Sequence, residues 1–217
     1  MYGVILKSKS ISHFEQSRVE TFSDGVFAII VTLLVLEIKV PHINNFRDSG
    51  ELLKALESLI PKVISWIISF FTVCVIWVNH HRLLKQFRIF THGLFWWNAL
   101  LLLFVSFIPF PTALLGDYPN NQVAVILYGV VLSVMALIFS LLRFYTLNKK
   151  VILKESVSIE NYKKGTIYSL IYGPLLYLMG ALFSFIHPNI SFIIYLLIPI
   201  YFIMPHSTED MRVDEEL

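Results

Sequence analysis

Cysteine, charge and familiar catalytic motifs are what this 217-residue sequence has least of. Its single cysteine, Cys74, excludes an intramolecular disulfide, and a lone thiol in an apolar run reads as inert packing. Charged residues make up only 15% of the chain, against about 25% in a soluble domain. Hydrophobic residues reach 56% and the mean hydropathy is +0.70, so an ordinary soluble domain is excluded and a membrane protein is indicated. No nucleophile elbow, phosphate loop, Rossmann glycine pattern or TVGYG-type carbonyl filter occurs, and no enzyme is expected. His80 and His81 are adjacent and diverge by about 100° on a helix, with no HxxxH spacing, so neither a metal site nor a cofactor is expected. The net charge of +2 gives no argument for nucleic acid, and no such partner is expected. No cleavable signal peptide is read in MYGVILKSK, whose apolar run is too short.

What the chain does have is long apolar runs. They fall at 18–41, 61–78, 93–112, 121–142, 165–186 and 190–205, and predict an all-α membrane protein with six transmembrane helices per subunit. Pro61 suits a first helical turn, and Pro109 and Pro111 disrupt or close the third run. Gly173-Pro174 should kink the fifth, leaving backbone groups for neighbouring helices to satisfy. With six crossings, thirteen of the 17 Lys and Arg residues share one side with both termini, which predicts cytoplasmic termini in the cell membrane. Residues 1–205 read as one membrane domain and 206–217 as an acidic, solvated tail. Between the first two runs, Leu52, Leu53, Leu56, Leu59 and Ile60 recur at helical spacing, after a capping-box pair at Asp48 and Glu51. This predicts a short amphipathic helix, lying at the outer interface or packed on the bundle.

The first run is the odd one. Between Asp24 and Glu37 lie only 12 uncharged residues, roughly 18 Å of helix against a hydrocarbon core of ~30 Å. Such a span suits shielding by other helices better than lipid. Phe22, Ile29 and Leu36 are seven apart, with Gly25 or Val26, Thr32 and Leu33 between them. That seam suits parallel copies packed around an axis, or simply a core. Thr32 is the one polar residue inside the span, and its hydroxyl either faces an axis or bonds its own backbone. Asp24 either takes a partner from another helix or sits in water at a helix start.

Arg18 to Asp24 reads R-x-x-x-F-S-D and leads directly into GVFAIIVTLLVLEI. This string resembles the first helix of the lysosomal potassium channel family, transmembrane protein 175, and its bacterial and archaeal relatives. The HHR closing the second run and the WWN opening the third agree with it, so the resemblance covers most of the chain. It implies a pore lined by the first helix, narrowest at Ile29, with Thr32 as a layer for potassium preference and Leu33 and Leu36 as further pore-lining positions. It likens Phe22, Ser23 and Asp24 to the family's lock between the first helix and the next two, with Arg18 in the same network. Candidate partners of that lock are His80, His81, Trp97 and Asn98. The animal channel carries two such repeats per chain and works as a dimer, so one repeat implies a homotetramer. The implied activity is a potassium-permeable cation channel with modest preference for K+ over Na+, K+ being the permeant ion rather than a cofactor. Its implied partners are other copies of the chain, the lipid bilayer and monovalent cations. The competing reading is a proton-coupled carrier or proton-leak pathway through Asp24 and His80 or His81; no mid-span ionisable residue before Arg143 supports it.

Overall fold

The computed structural model describes residues 13–203, so the acidic tail expected at 206–217 lies outside the described residues. Helices dominate: α1 (Gln16–Leu33), α2 (Ser49–Glu57), α3 (Ile60–Lys85), α4 (His92–Phe107), α5 (Pro109–Asp117), α6 (Gln122–Asn148), α7 (Ile159–Phe183) and α8 (Pro188–Ile203). Two short strands, β1 (His13–Phe14) and β2 (Phe90–Thr91), pair antiparallel and tie the approach to α1 to the α3–α4 connection. Among the described residues, five helical stretches are long and apolar enough to cross a membrane, and Pro188–Ile203 is a sixth, shorter one.

Several bounds correct the apolar-run reading. The first stretch is helical over Gln16–Glu37, its last turn a 3-10 helix, so it spans 22 residues, or about 33 Å. It is the uncharged part that is short, not the helix. α3 runs on to Lys85, and α7 starts at Ile159 rather than near 165. Apolar counting misses such ends because their last turns are polar, facing water or headgroups rather than hydrocarbon. The Pro109–Pro111 pair interrupts the α-helical ladder without ending the span. Ile108 keeps helical dihedrals (φ −54°, ψ −39°), Pro109 opens α5, and the apolar stretch continues over His92–Asp117. A proline at a helix start forfeits only an N–H that has no partner there.

α2 forms where the amphipathic pattern predicts, with Asp48 as its cap accepting from Gly50 N (2.8 Å) and Glu51 N (3.1 Å). The capping box is only half made. Glu51 reaches further back, accepting from Asn44 N (2.8 Å) and Asn45 N (3.0 Å), while Asp48 N donates to the Asn45 carbonyl. The two backbone donors, Asn44 first, hold the Glu51 carboxyl below the usual carboxylate range. None of the α2 residues is buried.

α6 and α7 make the most extensive helix pair, and α1 rests on α3 and α4. One core, including Phe27, Ile30, Leu34, Ile68, Leu101 and Leu132, fills the middle of the bundle. A second, including Val19, Leu83, Phe87, Leu94 and Leu142, lies toward the end where α1 begins. Inside the bundle the Tyr195 ring lies against Gly129 and Gly180 and its hydroxyl donates to the Val125 carbonyl (3.1 Å); a Cβ at either glycine would occupy the tyrosine's own space. Ser133 Oγ donates to the Pro174 carbonyl (3.0 Å), so α6 supplies a polar contact beside the proline of α7.

Candidate functional site

α1 has two faces with separate residues. Val19, Ser23, Phe27 and Ile30, continued by Leu34, recur every three or four residues and are buried. Around the helix from them, Arg18, Phe22, Gly25, Ile29, Thr32 and Leu36 form a stripe that the subunit itself leaves open. Phe22, Ile29 and Leu36 are 58%, 59% and 66% exposed, values that no core position would have. A Cβ added to Gly25 would meet nothing within 4 Å, so among the described residues no other element approaches that side. Leu33 lies at the edge of the stripe and is also exposed.

Thr32 is exposed, and its hydroxyl donates to the Ile29 carbonyl (2.8 Å). The backbone bond expected of this residue is made, by a side chain that stands on the open stripe. Its proton is spent on the backbone, which leaves the oxygen lone pairs as what the side chain offers outward.

The buried face is tied down by a chain of hydrogen bonds with one direction. Ser23 Oγ donates to the Val19 carbonyl (2.8 Å), so it can accept from Asn98 Nδ2 (3.0 Å). Asn98 Oδ1 then accepts from His80 Nε2 (2.6 Å), which fixes the proton on that nitrogen. Ser23, Asn98 and His80 are all buried, and the Phe27 ring lies 5.4 Å from the His80 ring. One level outward, Trp77 Nε1 donates to Asp24 Oδ1 (2.8 Å), and the His81 ring stacks on Trp77 at 5.8 Å. Asp24 is the ninth residue of α1, so it is not the exposed N-terminal acid that the helix dipole would favour.

Ser23 thus meets Asn98 of α4 and, through it, His80 of α3, whereas Asp24 takes Trp77 of α3. Phe22 and Arg18 do neither: both lie on the open stripe, which corrects the grouping of Arg18 to Asp24 as a single network within the subunit. Trp97 points elsewhere, its ring 6.4 Å from that of Tyr145, and His81 touches the motif only through Trp77. Trp77 was missed from sequence. An indole one turn before His81 on the same helix was the available signal. Among the described residues no group of three His, Cys, Asp or Glu side chains could hold a metal.

A model of the family described as the endosomal/lysosomal potassium channel TMEM175 matches residues 18–109, beginning at Arg18 of the motif. Over 191 residues the chain is 38% identical to a protein of Chamaesiphon minutus named a potassium channel, covering 87% of this chain and 93% of that one. A Chryseobacterium protein, also named a potassium channel, is 31% identical over 93% of this chain and 97% of its own length. The crystal structure of a lysosomal potassium-selective channel TMEM175 homologue from Chamaesiphon minutus matches with a TM-score of 0.75 at 37% identity, over 86% of this chain and 95% of that one. With a relative this similar over nearly its whole length, and with the family model starting on the R-x-x-x-F-S-D string, the chain belongs to the TMEM175 family of ion channels.

Proposed function

We propose that four copies of this chain surround a common axis with their α1 helices and conduct K+ across the cell membrane. The observation that carries this reading is the open stripe of α1: Phe22, Gly25, Ile29, Thr32 and Leu36 lie along one side of a helix whose other side is fully packed. Its similarity to relatives named potassium channels supplies the ion. Closing four stripes on one another places a ring of Ile29 side chains at the axis, an apolar neck that gates by dewetting or occlusion. Leu33 and Leu36 extend the apolar lining beyond it. One turn from the neck, four Thr32 oxygens, their protons already donated to Ile29 carbonyls, replace part of an ion's hydration. Four oxygens are few, so the preference for K+ over Na+ is modest. The basic end of the bundle, with both termini, faces the cytoplasm.

Bilayer recording of the purified protein under a K+/Na+ gradient tests the activity. A reversal potential displaced toward that of K+ is expected, and silent bilayers would refute it. Mass measurement in detergent should give four times 25.1 kDa, and a monomer would remove the axis on which the neck depends. Thr32→Val keeps the shape and removes the oxygens. It should lower the K+/Na+ permeability ratio by roughly fivefold, a loss of about 1 kcal/mol. An unshifted reversal potential would take selectivity away from this layer.

The proton reading rests on one observation: His80 Nδ1 is buried and has no hydrogen-bond partner among the described residues. It predicts saturable flux, steeply dependent on pH, that persists without K+ and is lost in Asp24→Asn. Ohmic K+ current through Asp24→Asn would dispose of it.

A further inference from the structure

Arg143 lies within the apolar span of α6, five residues before its end at Asn148, or about 8 Å along the helix. Its Nε donates to Thr166 Oγ1 (3.3 Å) and its guanidinium stands 4.6 Å from the centre of the Tyr162 ring. Among the described residues no carboxylate pairs with it. A guanidinium has five N–H donors, and a cation inside a membrane span ordinarily has an anionic partner.

Arg143 lines a cavity of about 280 Å³ between α3, α6 and α7, and its Nη2 lies on the side of Gly165, another lining residue. The absence of a side chain at Gly165 leaves room for that nitrogen, since a Cβ there would sit 3.1 Å from Nη2. The lining is ordered along the membrane normal. Asn79, Arg143 and Ser169 line the level nearer the basic end, whereas Met135, Phe139 and Tyr177 line the deeper part. From Gly165 to Tyr177 the cavity follows α7 for about 18 Å, close to one leaflet of a ~30 Å hydrocarbon core. A second, apolar groove of about 430 Å³ runs between α7 and α8, lined by Leu176, Met179 and Ile198 among others. Tyr168 and Tyr172, their rings 4.3 Å apart, border both and form the wall between them.

We infer that this paired cavity is a site for an anionic diacyl phospholipid, with its phosphate on Arg143 and one acyl chain on each side of the Tyr168–Tyr172 wall. Arg143 supplies the charge and the planar fork that fits phosphate oxygens. The two apolar grooves meeting at one wall favour a lipid with two chains over a free phosphate or a single-chain carboxylate. Lys149, Lys163 and Lys164 lie toward the same end of α6 and α7, the charge pattern that draws anionic headgroups. Neither conduction nor four-fold assembly is needed for such binding.

The test uses full-length protein in detergent, titrated with dioleoylphosphatidylglycerol or dioleoylphosphatidylcholine and read by native mass spectrometry. The glycerol lipid should be retained at least tenfold more tightly. Arg143→Gln should abolish that preference, while Arg143→Lys and the surface control Lys149→Gln keep it. Equal retention of the two lipids, or a preference that survives Arg143→Gln, would overturn the site. Oleate binding as tightly as the diacyl lipid would overturn the two-chain assignment, and inorganic phosphate competing as well as the lipid would overturn the lipid itself. Should Arg143→Gln not fold, a phosphatidylglycerol bearing a diazirine midway along one chain decides the matter on the unaltered protein. Labelling is expected within residues 135–143 and 165–177, and labelling confined to other segments would refute the proposal.

Discussion

Ile29→Asn should raise resting cation flux through the reconstituted protein by at least about tenfold, because each ~1.4 kcal/mol removed from a barrier is worth that factor. In the proposed tetramer a ring of Ile29 side chains offers water no hydrogen bonds, so the neck dries and an ion must shed its hydration to pass. Asparagine has as many side-chain heavy atoms as isoleucine, though less bulk, and gives water a donor and an acceptor. Ile29→Ala separates the two ways a neck can close. If dewetting holds the barrier, Asn conducts more than Ala, which stays apolar; if occlusion does, Ala conducts at least as much as Asn. Neither change should harm folding of the subunit, since Ile29 is 59% exposed and is not a member of the buried core. Ile30→Asn is the contrast: one residue on, about 100° around the helix, it would bury an amide among Phe27, Leu34 and Ile68 and cost assembly rather than alter flux. Flux through Ile29→Asn that matches the unaltered protein would remove Ile29 from the neck.

The open stripe was legible in the sequence because a helical wheel needs only the spacing of Phe22, Ile29 and Leu36. The same wheel, read one step further, would have divided the motif. Arg18 and Phe22 fall about 40° apart, whereas Ser23 is a further 100° around, so those letters cannot all face α3 and α4. Treating the string as a unit hid this. Helix ends were read short for a different reason. Apolar runs mark hydrocarbon, whereas α3 ends in a turn carrying Arg82 and Lys85 and α7 begins with turns carrying Glu160, Lys163 and Lys164. The partners of the motif lay beyond sequence reasoning altogether. That Trp77 rather than His81 takes Asp24 depends on how α3 is rotated against α1, which packing of the two cores decides. Arg143 stood out as an ionisable residue bordering the fourth apolar run, but the groove beside it appears only once α3, α6 and α7 are assembled.

Asn98→Leu should be the most damaging single change among the residues that hold α1. The amide of Asn98 is the middle of the chain running from His80 to Ser23, with both of its ends used. Leucine removes both hydrogen-bonding ends and is bulkier than the buried amide it replaces, so overpacking adds to the lost hydrogen bonds. His80 would suffer more than Ser23. Ser23 keeps its bond to the Val19 carbonyl, whereas His80 Nε2 would join Nδ1 as a second buried nitrogen without a partner. The newly orphaned His80 Nε2 costs about 1–3 kcal/mol and overpacking about as much again, so the total is roughly 2–6 kcal/mol. At about 2–4 °C per kcal/mol for a chain of this length, the temperature at which half the oligomer peak disappears in size-exclusion chromatography should fall by several degrees or more. Asn98→Asp should be milder, because a carboxylate still accepts from His80 and loses only the donor to Ser23. Ser23→Ala should cost less in the Asn98→Leu background than in the unaltered protein, since its bond to Asn98 is already gone and only that to the Val19 carbonyl is left to lose, and that non-additivity marks the three residues as one unit. A melting temperature unchanged by Asn98→Leu would mean that Phe27, Ile30 and Leu34 alone seat the helix, and that the polar chain sets its rotation rather than its stability.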